Sequence, residues 1–266
     1  MHTETHPESV GREVRLEVIG RVAKVILARP ECRNAINGAI VRALSWIVDE
    51  VEANPNIAVA VLCSAELGMF CAGADLAEIA RGGGADLVDP KKGFGGFVKA
   101  VRTKPWIAAV DGAAMGGGFE LALACDMIVA SDRTVFGLPE VKRGLMAMAG
   151  GAIRLPCRFP RALAIEALMT GEPITADLAL KHGLVNRVTV PDALETTALD
   201  LATQIARNAP IALRESLALA RAADGIDEGA LWSANDAAML RVVASSDARE
   251  GPRAFMEKRQ PQWSGA

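Results

Sequence analysis

Short apolar runs of strand length alternate with helical stretches along the first part of the chain, and this alternation constrains the fold most. The runs at 57–62, 107–110 and 127–130 carry no charged residue. Continuous runs of this kind are typical of strands that are covered on both faces of a sheet. Strands that alternate with helices indicate βαβ units, so the sequence predicts an α/β fold.

Local patterns predict three further elements around these runs. Residues 14–18 alternate apolar and polar side chains, and a glycine turn leads into a second strand at 22–27, which together predict a hairpin. Asn37 can cap a helix whose apolar residues fall on one face and which ends at Asn54. The Gly-rich segment 81–97 is expected to form a mobile surface loop.

The character of the sequence changes after about Gly150. Helical stretches follow one another, with a short strand at 184–190 between them. Consecutive helices with little sheet to cover must bury their apolar faces on each other or on another subunit. We therefore predict an α/β core in residues 1–190 and a C-terminal helical oligomerisation region in residues 191–266.

Composition excludes several classes of protein. Lysine and arginine number 29 against 32 aspartates and glutamates, a net charge of −3, so nucleic-acid binding is not expected. No run approaches the ~18 apolar residues of a membrane span, and the polar residues 1–8 are not expected to form a signal peptide. The five cysteines include no C-x-x-C pair and are expected to be free thiols. We expect a soluble, cytoplasmic protein with no membrane partner.

Familiar catalytic and cofactor motifs are absent. The chain has no P-loop and no nucleophile elbow. The third glycine of a dinucleotide fingerprint that starts at Gly116 would fall at Leu121. The histidines are His2, His6 and His182, and they do not form a helix-borne zinc pair. The chemistry is therefore expected to need neither a histidine base nor a metal.

Glu120 is the only charged residue between Ala113 and Cys125. Desolvation of a carboxylate is costly, so a carboxylate in such a run is protonated, paired or functional, unless it reaches water at the start of a helix. Three glycines at 116–118 stand at this helix start, although a glycine in a helix costs roughly 0.5–1 kcal/mol. Either close packing requires them, or their bare N–H groups approach an anion or a developing oxyanion.

Two further segments carry groups that suit the same chemistry. The loop at 70–76 follows a strand and offers backbone N–H groups beside small side chains, so two loops could supply two donors to one carbonyl oxygen. Pro139 fixes the approach to Glu140. Glu140 is either a second carboxylate for acid–base catalysis or the ion-pair partner of Lys142 or Arg143.

In this order and combination, the motifs resemble those of one family. The segments are 72–76 (AGADL), 107–112 (IAAVDG), 116–122 (GGGFELA) and 136–140 (FGLPE). Together they resemble the crotonase superfamily, also called the enoyl-CoA hydratase/isomerase superfamily, and the similarity extends from about Val14 to residues 257–259. The resemblance implies a crotonase-like spiral of ββα units, followed by C-terminal helices that build homotrimers, often paired into hexamers.

The resemblance also implies a role for each matching residue. The backbone N–H groups of Ala74 and Gly117 would form an oxyanion hole for an acyl-CoA thioester, and Glu120 and Glu140 would be the acid–base groups. The residues implied to contact the CoA ester are Arg33, Ala35, Ala72, Gly73, Asp75, Leu76, Gly116, Pro139, Gly144, Phe255 and Lys258. The last two resemble C-terminal residues that reach a CoA site, either their own or that of a neighbouring subunit. CoA is part of the substrate, so no separate cofactor is expected.

One segment departs from the family pattern. Many relatives have a proline-containing stretch that ends in Gly-Gly-Thr-Gln-Arg, whereas residues 145–154 of this chain contain Met146 and Met148 and no proline. Methionine side chains are flexible, so we predict a wide, adaptable pocket for a bulky or branched acyl chain. Ordinary repacking of this segment is the alternative.

The resemblance favours an enoyl-CoA hydratase of fatty-acid β-oxidation. The alternatives are an enoyl-CoA isomerase, a dehydratase of an unusual hydroxyacyl-CoA, and a non-catalytic acyl-CoA binder on the same scaffold. A pure isomerase usually needs only one of the two carboxylates, and this chain has both. Because Glu120 and Glu140 would lie close together in an apolar site, at least one of them is expected to have a raised pKa.

Overall fold

The computed structural model describes residues 12–223 and 227–266. The segment 1–8, which we expect not to be a signal peptide, lies outside the described residues, as do His2 and His6. In the part of the chain that is described, no helix combines the length and the apolar character that crossing a membrane requires.

The apolar runs form the centre of a six-stranded sheet. Its strands are, in spatial order, β1 (Val14–Ile19), β2 (Val22–Leu27), β3 (Val59–Ser64), β7 (Trp106–Val110), β9 (Met127–Ser131) and β12 (Arg187–Thr189). The strands β1 and β2 form the predicted antiparallel hairpin, and all other neighbours in this sheet are parallel. The strand that corresponds to the apolar run at 57–62 lies two residues later, because β3 begins at Val59 and ends at Ser64.

A second sheet has four short strands. They are, in spatial order, β11 (Ile174–Thr175), β10 (Val135–Gly137), β8 (Ala113–Met115) and β4 (Met69–Cys71). The strands β4, β8 and β10 are parallel neighbours, whereas β11 is antiparallel to β10. Because parallel strands end at the same edge of a sheet, the segments that follow β4, β8 and β10 emerge side by side.

The chain winds through both sheets in a repeated order. The strands β3 and β4 precede α2 (Leu76–Ala80), β7 and β8 precede α3 (Gly117–Ala124), and β9 and β10 precede a 3₁₀ helix at Pro139–Arg143. Each repeat thus supplies one strand to each sheet and then a helix. This arrangement confirms the predicted spiral of ββα units.

The remaining helices cover the spiral or extend beyond it. They are α1 (Gly38–Ala53), α4 (Gly151–Arg158), α5 (Arg161–Thr170), α6 (Ala176–Lys181), α7 (Leu194–Ala206), α8 (Pro210–Ala222), α9 (Glu228–Ala244) and α10 (Asp247–Met256). The side chain of Asn37 accepts a hydrogen bond from the Ile40 amide at the start of α1, which ends at Ala53 with Asn54 as its C-cap. The predicted cap and stop of this helix are confirmed.

The six-stranded sheet is buried on both faces. One face packs with α1 and α3 in the main core, which includes Trp106 and Phe119. The other face, with Val59 and Ile107, packs against Leu194 and Ala198 of α7. The helix α7 lies beyond residue 190, yet it covers one face of the six-stranded sheet. The boundary at residue 190 between an α/β core and a helical oligomerisation region stays a prediction.

The segment 81–97 is more ordered and more buried than the expected mobile surface loop. It contains a 3₁₀ helix at Gly83–Leu87 and the short strands β5 (Val88–Asp89) and β6 (Gly93–Phe94), which pair with each other. Phe97 is fully buried. Gly96 has a φ of +66°, and a Cβ there would lie 2.5 Å from the Val41 carbonyl oxygen of α1. Close packing at these glycines buries most of residues 93–97, so the expectation of a surface loop is wrong there, whereas residues 81–92 are largely exposed, as expected.

The C-terminal helices expose several large apolar side chains. Trp232, Leu240 and Val243 of α9 are each more than half exposed, and so is Phe255 of α10. The predicted homotrimer or hexamer stays a prediction.

Candidate active site

A glycine turn carries the chain from β8 into α3. Gly116 has φ 53° and ψ −126° and stands immediately before α3, whose residues are all buried. A Cβ at the next position, Gly117, would lie 2.4 Å from the Phe94 ring, and one at Gly118 would lie 2.2 Å from the Cys71 carbonyl oxygen. These close approaches explain why the helix begins with glycines, and they place Glu120 one turn inside a buried helix.

The loop after β4 lies directly against this turn. Gly73 has a φ of +94°, and a Cβ there would lie 2.8 Å from the Met115 carbonyl oxygen and 3.0 Å from the Gly117 nitrogen. Only glycine fits such a position, which brings Ala74 beside Gly117. Within residues 12–223 and 227–266, neither the Ala74 nor the Gly117 amide donates a hydrogen bond. Both N–H groups are therefore available to an acceptor in the space that they border.

The loop that contains Ala74 is held by the segment before α1. The Ile36 amide donates to the Gly73 carbonyl oxygen at 2.7 Å, and the Asp75 amide donates to the Ile36 carbonyl oxygen at 3.0 Å. The buried Asp75 carboxylate accepts from Arg29 at 2.7 Å and caps α2 by accepting from the amides of its first turn. Arg29 holds the pKa of Asp75 below its usual value. The backbone on either side of Ala74 is thus fixed.

The two loops border a cavity of about 340 Å³. Ala74, Gly117, Glu120 and Glu140 all line it. The other lining residues are Ile79, Gly84, Leu87, Val88, Gly93, Phe94, Val98, Lys99, Leu145, Met146, Met148 and Ala149. The carboxyl ends of β4, β8 and β10 therefore bring two unpaired amides and two carboxyl groups to one apolar cavity.

Glu120 is almost completely buried, with 3% of its surface exposed. Its Oε1 accepts a hydrogen bond from the Gly151 amide at 2.8 Å, at the first residue of α4. Burial raises the pKa of Glu120 to about 7, and the charge of Glu140 adds to the rise, although the Gly151 amide opposes it. Near neutral pH this carboxyl group can therefore both accept and donate a proton.

Glu140 lies in the 3₁₀ helix that follows β10, and it reaches back to the glycine turn. Its Oε1 is 3.2 Å from the place that a Cβ of Gly116 would occupy. Its Oε2 is buried and has no hydrogen-bond partner among the described residues. Burial raises the pKa of Glu140, while the charge of Arg143 lowers it. A raised pKa was expected for at least one glutamate, and it is confirmed for both.

The alternative partners of Glu140 are engaged elsewhere or too distant. Lys142 forms an ion pair with Glu172 at 2.6 Å. No ion pair joins Arg143 and Glu140 within the described ranges of the chain. The ion-pair interpretation of Glu140 is therefore wrong.

Other residues that were predicted to contact the CoA ester shape the loops around the cavity without lining it. Gly73 and Gly116 shape the two loops, and Pro139 and Gly144 begin and end the turn that carries Glu140. Leu76 is 57% exposed and does not line the cavity. Their roles in binding stay predictions.

The remaining predicted contacts belong to two separate surfaces. The exposed Arg33 adjoins the loop after β4, since its carbonyl oxygen accepts from the Ala72 amide at 2.9 Å, and Ala35 is half-buried beside it. Phe255 is 81% exposed on α10 and Lys258 follows that helix. Neither Phe255 nor Lys258 lines the cavity of its own chain.

Sequence reasoning missed two parts of this site. Five lining residues come from 81–97, the segment expected to be a surface loop, and Val98 and Lys99 follow directly after it. The apolar residues Phe94, Phe97 and Val98 in this stretch were the signal of burial. The Gly151 amide that binds Glu120 was also missed, because no local pattern predicts a contact between residues 31 positions apart.

No group of His, Cys, Asp and Glu side chains is arranged to hold a metal ion in the described part of the chain. The arrangement that the structure does provide suits a reaction in which a carbonyl oxygen gains negative charge while a proton moves nearby. Two N–H donors are suited to stabilise such an oxygen, and the buried Glu120 and half-buried Glu140, both with raised pKa values, are suited to exchange protons with the adjacent carbon atoms or with water.

Comparisons with known proteins point to one family. Residues 17–266 match a family model described as enoyl-CoA hydratase/isomerase. A carnitinyl-CoA dehydratase of Proteus mirabilis is 40% identical over 261 residues, which cover 96% of this chain and 100% of that protein. The carnitinyl-CoA dehydratase of Escherichia coli O157:H7 is 38% identical over 251 residues, 92% of this chain and 96% of that protein.

Solved structures give the same result. An enoyl-CoA hydratase from Mycobacterium tuberculosis H37Rv superposes with a TM-score of 0.92 at 39% identity, covering 96% of this chain and 100% of that one. A carnitinyl-CoA hydratase from Mycobacterium avium superposes with a TM-score of 0.77 at 42% identity and the same coverage.

Proposed function

The chain belongs to the enoyl-CoA hydratase/isomerase family, and on this premise we propose that it adds water reversibly across the 2,3 double bond of a 2-enoyl-CoA thioester. Its family membership, together with the carnitinyl-CoA dehydratases among its relatives, supports a crotonase-type lyase that acts on CoA thioesters. The observation that carries the finer proposal is the meeting of Ala74, Gly117, Glu120 and Glu140 around one cavity.

The two free amides bind the thioester oxygen. When water adds at C3, electrons move from the double bond towards the carbonyl group, and the oxygen becomes enolate-like. The N–H groups of Ala74 and Gly117 donate to this oxygen and stabilise its charge. Loss of one such donor typically costs on the order of 10²–10³ in rate.

The two glutamates move the protons. An ionised glutamate takes one proton from water as the hydroxyl group bonds to C3. A protonated glutamate then gives a proton to C2, and the proton taken from water restores it, so that one water molecule is added in full. Glu120, with a pKa of about 7, exists in both forms near neutral pH. The unpaired Oε2 of Glu140 can accept a hydrogen bond from the reacting water. No additional cofactor is needed for this reaction.

The reverse reaction, dehydration of a 3-hydroxyacyl-CoA, uses the same groups. Relatives at 38–40% identity are named carnitinyl-CoA dehydratases, which favours dehydration as a second candidate for the physiological direction. Because a catalyst accelerates a reaction in both directions, the same residues serve hydration and dehydration. Which of the two is the physiological reaction depends on the acyl group of the substrate.

The mouth of the cavity suits a large acyl group. Leu145, Met146 and Met148 line the cavity and are at least half exposed, so their side chains can move aside at little cost. We therefore propose that acyl chains bulkier than crotonyl are accepted. A strong preference of kcat/KM for crotonyl-CoA over long-chain and ring-bearing enoyl-CoA esters would contradict this pocket.

Loss of the ultraviolet absorbance of a 2-enoyl thioester measures the reaction directly. Glu120→Gln and Glu140→Gln are each expected to lower kcat by about 10²–10⁴. Glu166→Gln is the matched control, because Glu166 is exposed and outside the cavity, and it should retain wild-type activity. Wild-type turnover no faster than that of the Glu120→Gln/Glu140→Gln double variant would refute catalysis. Retained binding of the ester would then indicate an acyl-CoA binder.

A further inference from the structure

Lys99 places an unpaired positive charge at the catalytic cavity. Its aliphatic stem packs against the β5–β6 hairpin, where a Cβ of Gly93 would lie 2.9 Å from its Cγ. Within residues 12–223 and 227–266, its ammonium group has no hydrogen-bond acceptor and no carboxylate partner. Lys92, in the same segment, differs because it binds Asp49 at 2.6 Å and the carbonyl oxygen of Ser45. The charge of Lys92 is therefore compensated, and that of Lys99 is not.

A second cavity adds positive charge behind the same wall. It has a volume of about 630 Å³ and shares Val98 and Lys99 with the catalytic cavity. The other cations that line it are Arg102, Arg154, Arg158 and Arg221. The one acidic residue among its lining residues is Asp126, to which Arg221 is paired at 2.7 Å. The lining that includes Lys99 therefore contains more cationic than acidic side chains.

Lys99 lines the second cavity together with Ile153 and Arg154 of α4. Arg154 of α4 donates hydrogen bonds to the carbonyl oxygens of Val98 and Ala149. It therefore ties the residue before Lys99 to the methionine-containing loop. The loop that contains Ala74 is held separately, by Ile36 and Arg29. Because Ala74, Gly117 and Lys99 line one cavity, an acyl chain whose carbonyl oxygen binds the two amides extends into a space that Lys99 also borders.

We propose that Lys99 selects 2-enoyl-CoA or 3-hydroxyacyl-CoA esters whose acyl group ends in a carboxylate, and that it disfavours acyl groups that end in a quaternary ammonium. This inference rests on the proposed function. A terminal carboxylate pairs with the free ammonium group, whereas a trimethylammonium group meets a like charge and an excess of arginine behind it. This chain would thereby prefer a different acyl group from the carnitinyl group after which its relatives are named.

The expected size of the preference follows from the exposure of Lys99, which is an exposed side chain. Exposed ion pairs contribute up to about 1 kcal/mol, which corresponds to a preference of about two- to fivefold. Because salt screens exposed charges over about 10 Å at 0.1 M ionic strength, the preference should decrease as salt is added.

The test compares three 2-enoyl-CoA esters of matched length that end in a carboxylate, a methyl ester or a trimethylammonium group. The ratio of kcat/KM for the carboxylate ester to that for the methyl ester is expected to fall about two- to fivefold in Lys99→Gln. In Lys99→Glu the ester with the trimethylammonium group should become the preferred charged substrate. Lys91→Gln is the control, since Lys91 is an exposed lysine of the same segment that does not line the cavity, and its ratio should equal that of wild type.

Three results would overturn the proposal. One is a wild-type preference for the trimethylammonium ester over the carboxylate ester. Another is a ratio that Lys99→Gln leaves unchanged. The third is an equal loss for all three esters in Lys99→Gln, which would mean that Lys99 binds the CoA portion that they share. In each of these cases the enzyme still hydrates enoyl-CoA, so the proposed function stands. Absence of turnover with every ester would instead refute the proposed function, and the inference with it.

Discussion

Glu120→Gln is expected to abolish most of the activity and yet to stabilise the protein at alkaline pH. Burial raises the pKa of Glu120 from 4.5 to about 7. Because its folded-state pKa is above its unfolded-state value, the native protein binds more protons than the unfolded chain between these two pH values. The free energy of unfolding therefore falls as pH rises through this window. A glutamine does not titrate and removes this pH-dependent cost.

The size of the effect follows from the pKa shift. One pKa unit is about 1.36 kcal/mol, so a rise from 4.5 to about 7 makes ionised Glu120 cost about 3 kcal/mol in the folded protein. The amide oxygen of a glutamine can still accept from the Gly151 amide, so the local backbone is kept. The stability of Glu120→Gln relative to wild type is expected to improve by about 3 kcal/mol between pH 4 and pH 8.

Urea unfolding followed by circular dichroism at these two pH values measures the difference, at one fixed protein concentration so that any assembly contributes equally. Glu166→Gln serves again as control, because an exposed substitution outside the cavity should change the free energy of unfolding by no more than about 0.5 kcal/mol. A Glu120→Gln difference that is the same at both pH values, or that grows towards acid, would show that Glu120 is not destabilised by ionisation. The assignment of its raised pKa would then be wrong.

Two further substitutions test the loop that positions the thioester amides. Gly73→Ala places a Cβ 2.8 Å from the Met115 carbonyl oxygen and 3.0 Å from the Gly117 nitrogen, so it should displace that amide and lower kcat by about 10²-fold; wild-type kinetics would refute the close contact. Asp75→Ala removes the ion pair with Arg29 and the cap of α2 and should cost about 2–4 kcal/mol in urea unfolding. The pKa of Asp75 is lowered in the folded protein. The stability that its carboxylate contributes is therefore present above the unfolded-state pKa and should disappear as pH falls through the folded-state pKa. A loss of stability in Asp75→Ala that does not depend on pH would argue against the ion pair.

The sequence predicted those elements whose determinants are local. The apolar runs became β3, β7 and β9 because strands that are covered on both faces consist mostly of apolar side chains, which a short window of sequence shows. Asn37 and Asn54 marked the ends of α1 because capping involves neighbouring residues only. Glu120 and Glu140 were found as candidates, but their distance depends on the parallel pairing of β8 and β10, which no window of sequence contains.

The expectation of a surface loop at 81–97 was wrong for its buried end, 93–97, and the physical cause applies to the site as well. Glycine permits flexibility in a solvated chain, and it also permits close approach in a packed one. In both Gly-rich segments the structure uses the second property, since a Cβ at Gly96 would meet α1 and a Cβ at Gly117 would meet the Phe94 ring. The neighbouring aromatic residues distinguish the two cases. Phe97 and Phe119 are both fully buried. When an aromatic ring next to a glycine is buried, the glycine backbone is brought against another element of the fold. At Gly117 this packing leaves the backbone amide open to the cavity.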